Sequence, residues 1–255
     1  MPAKLLRSAR GFTLTELAVV FTIISLLLAT ALFTLSAQTE QRNFEETRRR
    51  LEAARELILA FAIVNGRLPC PATSTSTGDE APVGGGTCTA PGPYGGWLPA
   101  RSIGFQIVDA GGYAIDAWNN RIRYAISAAT PTCATAPTTP HFTSTANLRT
   151  NGISCQPNDL VVCRSATGIT ATACGAAANS LTNQNALVAV VFSIGKNGAT
   201  GTGGIDEAAN VNGDQVFVWH TPAPSGAANG EFDDQMSWIT VGELYGKLIA
   251  AGILP

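Results

Sequence analysis

A single carboxylate, Glu16, stands at the threshold of an apolar run from Leu17 to Leu35, in which Thr22, Ser25, Thr30 and Thr34 are the only polar residues. A charge entering hydrocarbon costs about 2.5–3.5 kcal/mol at mid-helix, so a chain keeps one there when something compensates it. The chemistry open to Glu16 is ion pairing with an amine. A second set of reactive groups comes later: Cys70, Cys88, Cys133, Cys155, Cys163 and Cys174. A third is the adjacent pair Asp233-Asp234, which reads as a charged turn before Met236-Ser237-Trp238.

The elements around Glu16 set what it can do. Leu17 to Leu35 is nineteen residues, or about 28 Å of helix, close to the hydrocarbon thickness of a bilayer. Its hydroxyls can return to the helix's own backbone. The run is longer than the apolar core of a secretory signal, and no clear cleavage site follows it. Lys4, Arg7 and Arg10 precede it, which keeps the leader cytoplasmic and sends the rest outward. No proline lies between Pro2 and Pro69 to weaken the helix. From Gln38 to Asn65 the composition changes and the period does not. Phe44, Leu51, Ile58 and Asn65 are seven apart, and Ala54, Leu57, Phe61, Ala62 and Val64 widen the same stripe. Gly66 stops the helix, and Pro69 and Pro71 prevent its resumption. Leu14 to Asn65 spans fifty-two residues, or about 78 Å of helix. The Arg48-Arg49-Arg50 cluster is nearly cancelled by Glu45, Glu46, Glu52 and Glu56, and the chain carries −2 overall. An acidic chain without an aromatic stacking set is a poor phosphate binder, so no nucleic acid is expected.

All six cysteines follow the stalk, in the exported part, where an even number implies disulfides. Short loops close most easily, which favours Cys70–Cys88, Cys133–Cys155 and Cys163–Cys174. A zinc site is disfavoured: there is no Cys-x-x-Cys, and His141 and His220 are the only histidines. Neither histidine sits in a recognisable hydrolase motif, so an enzyme is not expected. Residues 67–255 are enough for one domain with a core. Strands are legible at Asp159–Cys163, Arg121–Ile126, Leu187–Ile194 and Gln215–Trp219, and a helix at Thr240–Ala251. Thr73–Gly86 and Ala128–Thr145 have the composition of partly disordered loops. The fold class is α+β: a long N-terminal helix packed on an antiparallel sheet, with disulfide-containing loops.

The run Arg10-Gly11-Phe12-Thr13-Leu14-Thr15-Glu16 with its basic leader and apolar helix resembles the processing signature of class III prepilins. These are the type IV pilins and the pseudopilins of type II secretion. The resemblance implies a pilin-like fold, cleavage by a prepilin peptidase between Gly11 and Phe12, N-methylation of Phe12, and assembly through Glu16 and the Phe12 amine. It implies three parts: a leader at 1–11, a transmembrane and stalk helix at 12–66, and a periplasmic or extracellular domain at 67–255. Partners would be the peptidase, other pilin or pseudopilin subunits and inner-membrane lipid. The chain would be single-pass in the inner membrane and then part of a periplasmic or surface filament. The alternative within the same frame is a minor or tip subunit acting as an adhesin or as a substrate- or DNA-binding module. Asp116-Ala117-Trp118-Asn119-Asn120 resembles the Asp-Pro-Trp-Gly-Asn turn of pseudopilins, with Ala117 and Asn119 departing from it, and implies that Trp118 anchors a turn into the sheet. Ser193-Ile194-Gly195-Lys196-Asn197-Gly198 resembles the calcium loop of major pseudopilins, with Asn197 where an acid is expected. No other cofactor is expected. If calcium binds, Asn197, Asp206 and Glu207 are the available ligands.

Overall fold

The structure is a computed structural model that describes residues 13–128, 133, 140–199, 201 and 203–254. The expected cleavage pair Gly11–Phe12 and most of residues 128–145 lie outside them. So do the side chains of residues 30–37, and with them the second half of the expected membrane span.

The chain divides into two units, residues 1–44 and 45–255. Helix α1, Leu14–Asn65, runs from the first into the second. From Leu14 to Leu28 its side chains are mostly apolar and face every side: Leu14 is 86 % exposed, and Leu17, Val19, Phe21, Ile23, Leu26, Leu27 and Leu28 are exposed as well. Thr22 and Ser25 hand their hydroxyls back to the carbonyls of Val19 and Phe21, at 2.8 and 2.6 Å. Among the described residues no helix is long and apolar enough to cross a membrane.

In the second unit the residues of α1 bury Thr47, Leu51, Ala54, Ile58, Leu59 and Ala62. The spacing of four, three, four and four along 47, 51, 54, 58 and 62 keeps one face of a 3.6-residue helix inward. Val64 is 82 % exposed and Asn65 is exposed, so the expected stripe ends at Ala62. Val64 lies about a half-turn from Ala62, on the solvent side of the last turn. Gly66, at φ +67°, takes the left-handed conformation that ends the helix.

That face packs on a four-stranded antiparallel sheet of order β1-β2-β4-β6. The strands are β1 Gly96–Trp97, β2 Arg123–Ile126, β4 Leu187–Ser193 and β6 Gln235–Thr240. Helix α5, Val241–Ala250, joins the same core through Leu244, Tyr245 and Leu248. It is capped by Thr240, whose hydroxyl accepts from the Glu243 amide. β4 is buried at every residue because the sheet is covered on both faces. Leu160, Val162 and Phe217 pack against Ala125, Val190 and Phe192 on the second face. They come from a two-stranded sheet, β3 Val161–Cys163 with β5 Val216–Val218. This pair is parallel, a departure from the purely antiparallel expectation. Behind it lies α4, Ile205–Val211, with Ala209 and Phe232 in a third small core. The architecture is α+β.

The six cysteines form three disulfides, Cys70–Cys88, Cys133–Cys155 and Cys163–Cys174. The segment 73–86, expected to be partly disordered, is ordered. Its Glu80 is 4 % exposed and takes both guanidinium nitrogens of the buried Arg67, at 2.7 and 2.5 Å. Glu80 also accepts from the Cys70 and Gly84 amides. A fully paired and hydrogen-bonded charge of this kind can remain in an interior, and it fixes the loop around it.

Candidate functional site

Three carboxylates converge where β4 ends, α4 begins and β6 is about to start. Glu207, Asp233 and Asp234 are 7 %, 6 % and 3 % exposed. An oxygen from each lies within 4.8 Å of the others. Helix α4 brings Glu207 to the cluster, and the register of β6 against β4 brings Asp233 and Asp234 beside the Gly195–Ala199 turn. Asp233-Asp234 is therefore a buried pair and not the solvated turn expected from its sequence.

Part of the charge is met by hydrogen bonds. Glu207 accepts from the Asp233 amide at 2.6 Å and from the Asn197 side-chain amide at 2.9 Å. Asp233 Oδ2 accepts from the Lys196 and Asn197 amides at 3.1 and 3.3 Å. Asp234 Oδ2 accepts from the Asn210 side chain at 2.7 Å. Oδ1 of Asp233 and Oδ1 of Asp234 are buried with no hydrogen-bond partner. Burial, then the nearby Glu207 charge, pushes Asp233 up to about 7. Burial also raises Glu207, and raises Asp234 well above the usual carboxylate range. Glu207 and Asp234 line a pocket of about 140 Å³ whose walls include Ile194, Gly198, Ala208 and Val211. Two glycines make room for them. A Cβ on Gly195, at φ +63°, would land on the Asp233 carboxylate, and one on Gly203 would land on Glu207.

Buried carboxylates with orphaned oxygens are costly unless a cation meets them. A hard cation such as calcium takes six to eight oxygens and favours this donor set. The donors present fit it: three acids and the Asn197 amide. Asp206 does not join them. Its oxygens are taken by the Ala166 amide, by Asn229 at 3.0 and 3.1 Å, and by His220 Nε2 at 3.1 Å. The other ring nitrogen of His220 faces the Thr221 carbonyl at 2.7 Å. Both ring nitrogens thus face oxygen atoms of the protein. Asp233 and Asp234 were noticed in the sequence as an adjacent pair but read as a charged turn, and not as ligands beside Glu207. The one available signal was their place just before an apolar strand.

The Asp116 turn stands beside this loop. Asp116 is fully buried, accepts from the Trp118 and Asn120 amides at 2.9 and 2.8 Å, and takes the Ser193 hydroxyl at 2.6 Å. Asn119 sits at φ +66°, a conformation that asparagine tolerates best after glycine. The anchor of the turn is Asp116, with Trp118 only half-buried. Thr47 accepts from the Ala117 amide, and Arg50 donates to the Ile115 and Asp116 carbonyls at 3.1 and 2.7 Å. The stalk residues therefore hold the turn, and Asn120 passes it on to the Gly195 carbonyl at 2.6 Å.

At the other end of the chain, Thr13 and Glu16 form a reciprocal cap. The Thr13 amide and hydroxyl both donate to Glu16 Oε2 at 2.8 Å, and the Glu16 amide donates to Thr13 Oγ1 at 3.3 Å. Residues 6–32 match the family model of the prokaryotic N-terminal methylation motif. That motif is consistent with the class III prepilin resemblance of the N-terminal residues. The prepilin motif implies processing by a prepilin peptidase and points to a pilin- or pseudopilin-like structural subunit. Among curated proteins and solved structures nothing matches the chain. The cap positions Glu16 at the start of α1, three residues beyond Thr13.

Proposed function

We propose that the chain is a structural subunit of a type IV pilus-like or type II secretion pseudopilus filament. It is cut between Gly11 and Phe12, methylated at Phe12, and held in the inner membrane by Leu17–Leu35 before assembly. The observation that carries this reading is the union of the methylation motif with a helix whose described apolar side chains are exposed on every side. A helix that is apolar all round has to be covered by lipid or by other helices. In the filament, the Glu16 carboxylate pairs with the Phe12 amine of a neighbour and fixes the register. Thr13 engages Oε2 of Glu16, and the amine meets the carboxylate from the other side. Mass spectrometry of the chain from native filaments tests the processing: it should begin with a methylated Phe12. A chain that retains Met1, or that begins beyond residue 35, ends this reading.

We further propose that Glu207, Asp233 and Asp234 hold a structural calcium ion, with Asn197 turning its carbonyl end toward it. Bound calcium supplies positive charge to the orphaned oxygens and ties the β4–α4 loop to the start of β6. Asp206 stays with His220. Thermal unfolding in calcium against chelator tests it, and equal midpoints in the two would remove the metal.

A further inference from the structure

Three donors of metal-binding type meet at a second place, away from the acidic cluster. Cys133 Sγ, Cys155 Sγ and a ring nitrogen of His141 lie within 4.8 Å of one another, with the two sulfurs joined as a disulfide. His141 is wholly buried and sits edge-on to Phe142, ring centroids 4.9 Å apart. Its Nε2 lies 3.1 Å from the Tyr245 hydroxyl. That hydroxyl gives its one proton to the Cys155 carbonyl at 2.6 Å, since a carbonyl can only accept. Nε2 therefore carries the imidazole proton and donates it to Tyr245. Nδ1 is buried and makes no well-formed hydrogen bond. The ring also meets the Gly152 backbone.

A ring with one N–H fixed on an acceptor and the other nitrogen left for a ligand is how metal-ligating histidines are held. A closed disulfide gives that nitrogen nothing to bind. We propose that Cys133, His141 and Cys155 form a redox-gated site for a thiophilic divalent metal, zinc above all, filled in the reduced chain and dissolved when the disulfide closes. A dithiol reductant splits the S–S bond, giving two electrons and two protons to Cys133 and Cys155 and becoming a disulfide itself. Metal binding then releases the two thiol protons, leaving two thiolates and Nδ1 as ligands with a fourth position open to water. Oxidation by a disulfide donor reverses the electron flow, reforms the bond and expels the ion.

Zn–S and Zn–N bonds of about 2.3 and 2.0 Å place tetrahedral donors roughly 3.3–3.8 Å apart. The donors already lie within 4.8 Å of each other, so the site needs little more than the sulfurs to separate. Among the described residues, no other disulfide of the chain has a histidine nitrogen in such reach. The trio was missed in the sequence because its members are spread from 133 to 155 without a Cys-x-x-Cys. The ion and the disulfide tie the same two points, so the segment carrying α3, Thr145–Asn151, is closed in either state.

The test uses the full chain in detergent, reduced with a phosphine under anaerobic conditions and titrated with cobalt(II) as the probe for zinc. The reduced chain should take up one equivalent, with a thiolate-to-cobalt charge-transfer band and tetrahedral ligand-field bands. The oxidised chain should show neither. Cys133→Ser and Cys155→Ser should each abolish the charge-transfer band, Cys70→Ser/Cys88→Ser should keep it, and His141→Ala should weaken binding at least tenfold. A second readout follows thiol trapping during reoxidation: zinc should slow closure of Cys133–Cys155 at least tenfold, and His141→Ala should remove that delay. The proposal is overturned if the band survives in the Cys133→Ser/Cys155→Ser double variant. It is also overturned if His141→Ala binds cobalt as tightly as the parent, or if zinc leaves reoxidation unchanged.

Discussion

Replacing Asp233 with asparagine separates a buried charge that is penalised from one that is useful. Asn keeps the shape and one acceptor oxygen for the Lys196 and Asn197 amides, and removes the charge. The folded Asp233 is pushed up to about 7 from its ordinary 3.8. The gap is about three pH units, each worth about 1.4 kcal/mol, which sets a ceiling of about 4 kcal/mol. The carboxyl is not fully shut off from water, and Glu207 adjusts when its neighbour ionises, so about 2 kcal/mol is the working figure. The sign follows from proton counting. A carboxyl with a raised folded pKa binds more protons folded than unfolded, so stability falls as pH rises from about 4 through about 7. In chelator at pH 8, Asp233→Asn should therefore be more stable than the parent by about 2 kcal/mol. That is about 4–8 °C in unfolding midpoint for a domain of this size. The advantage should vanish at pH 4, where the parent carboxyl is protonated. In saturating calcium the order should reverse, because the variant has lost a ligand. Thermal melts at pH 4, 6 and 8, with and without calcium, read all of this. A variant less stable than the parent in chelator at every pH would refute the argument, because the charge would then be serving the fold unaided.

Three further outcomes follow from other parts of the chain. Glu16→Ala should be inserted and cut after Gly11 as before but be absent from sheared filaments, as read by immunoblot of membrane and shear fractions; normal assembly would remove the pairing role. Glu80→Ala leaves the Arg67 guanidinium buried and unpaired, and should cost about 3–5 kcal/mol in denaturant unfolding; a loss under 1 kcal/mol would mean that water reaches Arg67. Gly203→Ala places a methyl group on the Glu207 carboxylate, and should abolish the calcium-dependent rise in midpoint while far-ultraviolet circular dichroism stays unchanged; a retained rise would show that Glu207 is not a ligand.

The elements that the sequence made legible are those whose pattern is local. Leu187–Ser193 reads as a central strand because both faces are covered, so no polar alternation interrupts it. Val241–Ala250 reads as a helix from its spacing and its threonine cap. The stalk face was legible from Leu51 to Ala62, whereas Thr47 was not, because its burial depends on the Ala117 amide it accepts from, seventy residues away. β6 was hidden for a similar reason. Gln235–Thr240 alternates weakly, with Ser237 and Ile239 inward and Met236 and Trp238 half-buried. Only pairing with β4 shows it to be a strand. The parallel β3–β5 pair joins segments more than fifty residues apart, and no turn signal announces such a contact.

The same distinction governs the acidic site. Glu207 was legible because it follows a glycine-rich loop at short range, and Asp206 was chosen with it for the same reason. Consecutive helix residues project about 100° apart, so of two adjacent acids only one can face a given cluster. Here Glu207 faces Asp233 and Asp234, and Asp206 faces His220 and Asn229. Asn197 brings an amide where an acid was expected, and Asp233 and Asp234 bring two carboxylates from another strand. Three buried carboxylates and one amide do not satisfy one another, and two carboxylate oxygens are left without a hydrogen-bond partner. The site should therefore depend on its cation more steeply than on the Asn197 side chain. Asn197→Ala should keep most of the calcium response, and Asp234→Ala should lose it. Equal loss in the two variants would assign the cluster's stability to the hydrogen bond between Asn197 and Glu207 rather than to the ion.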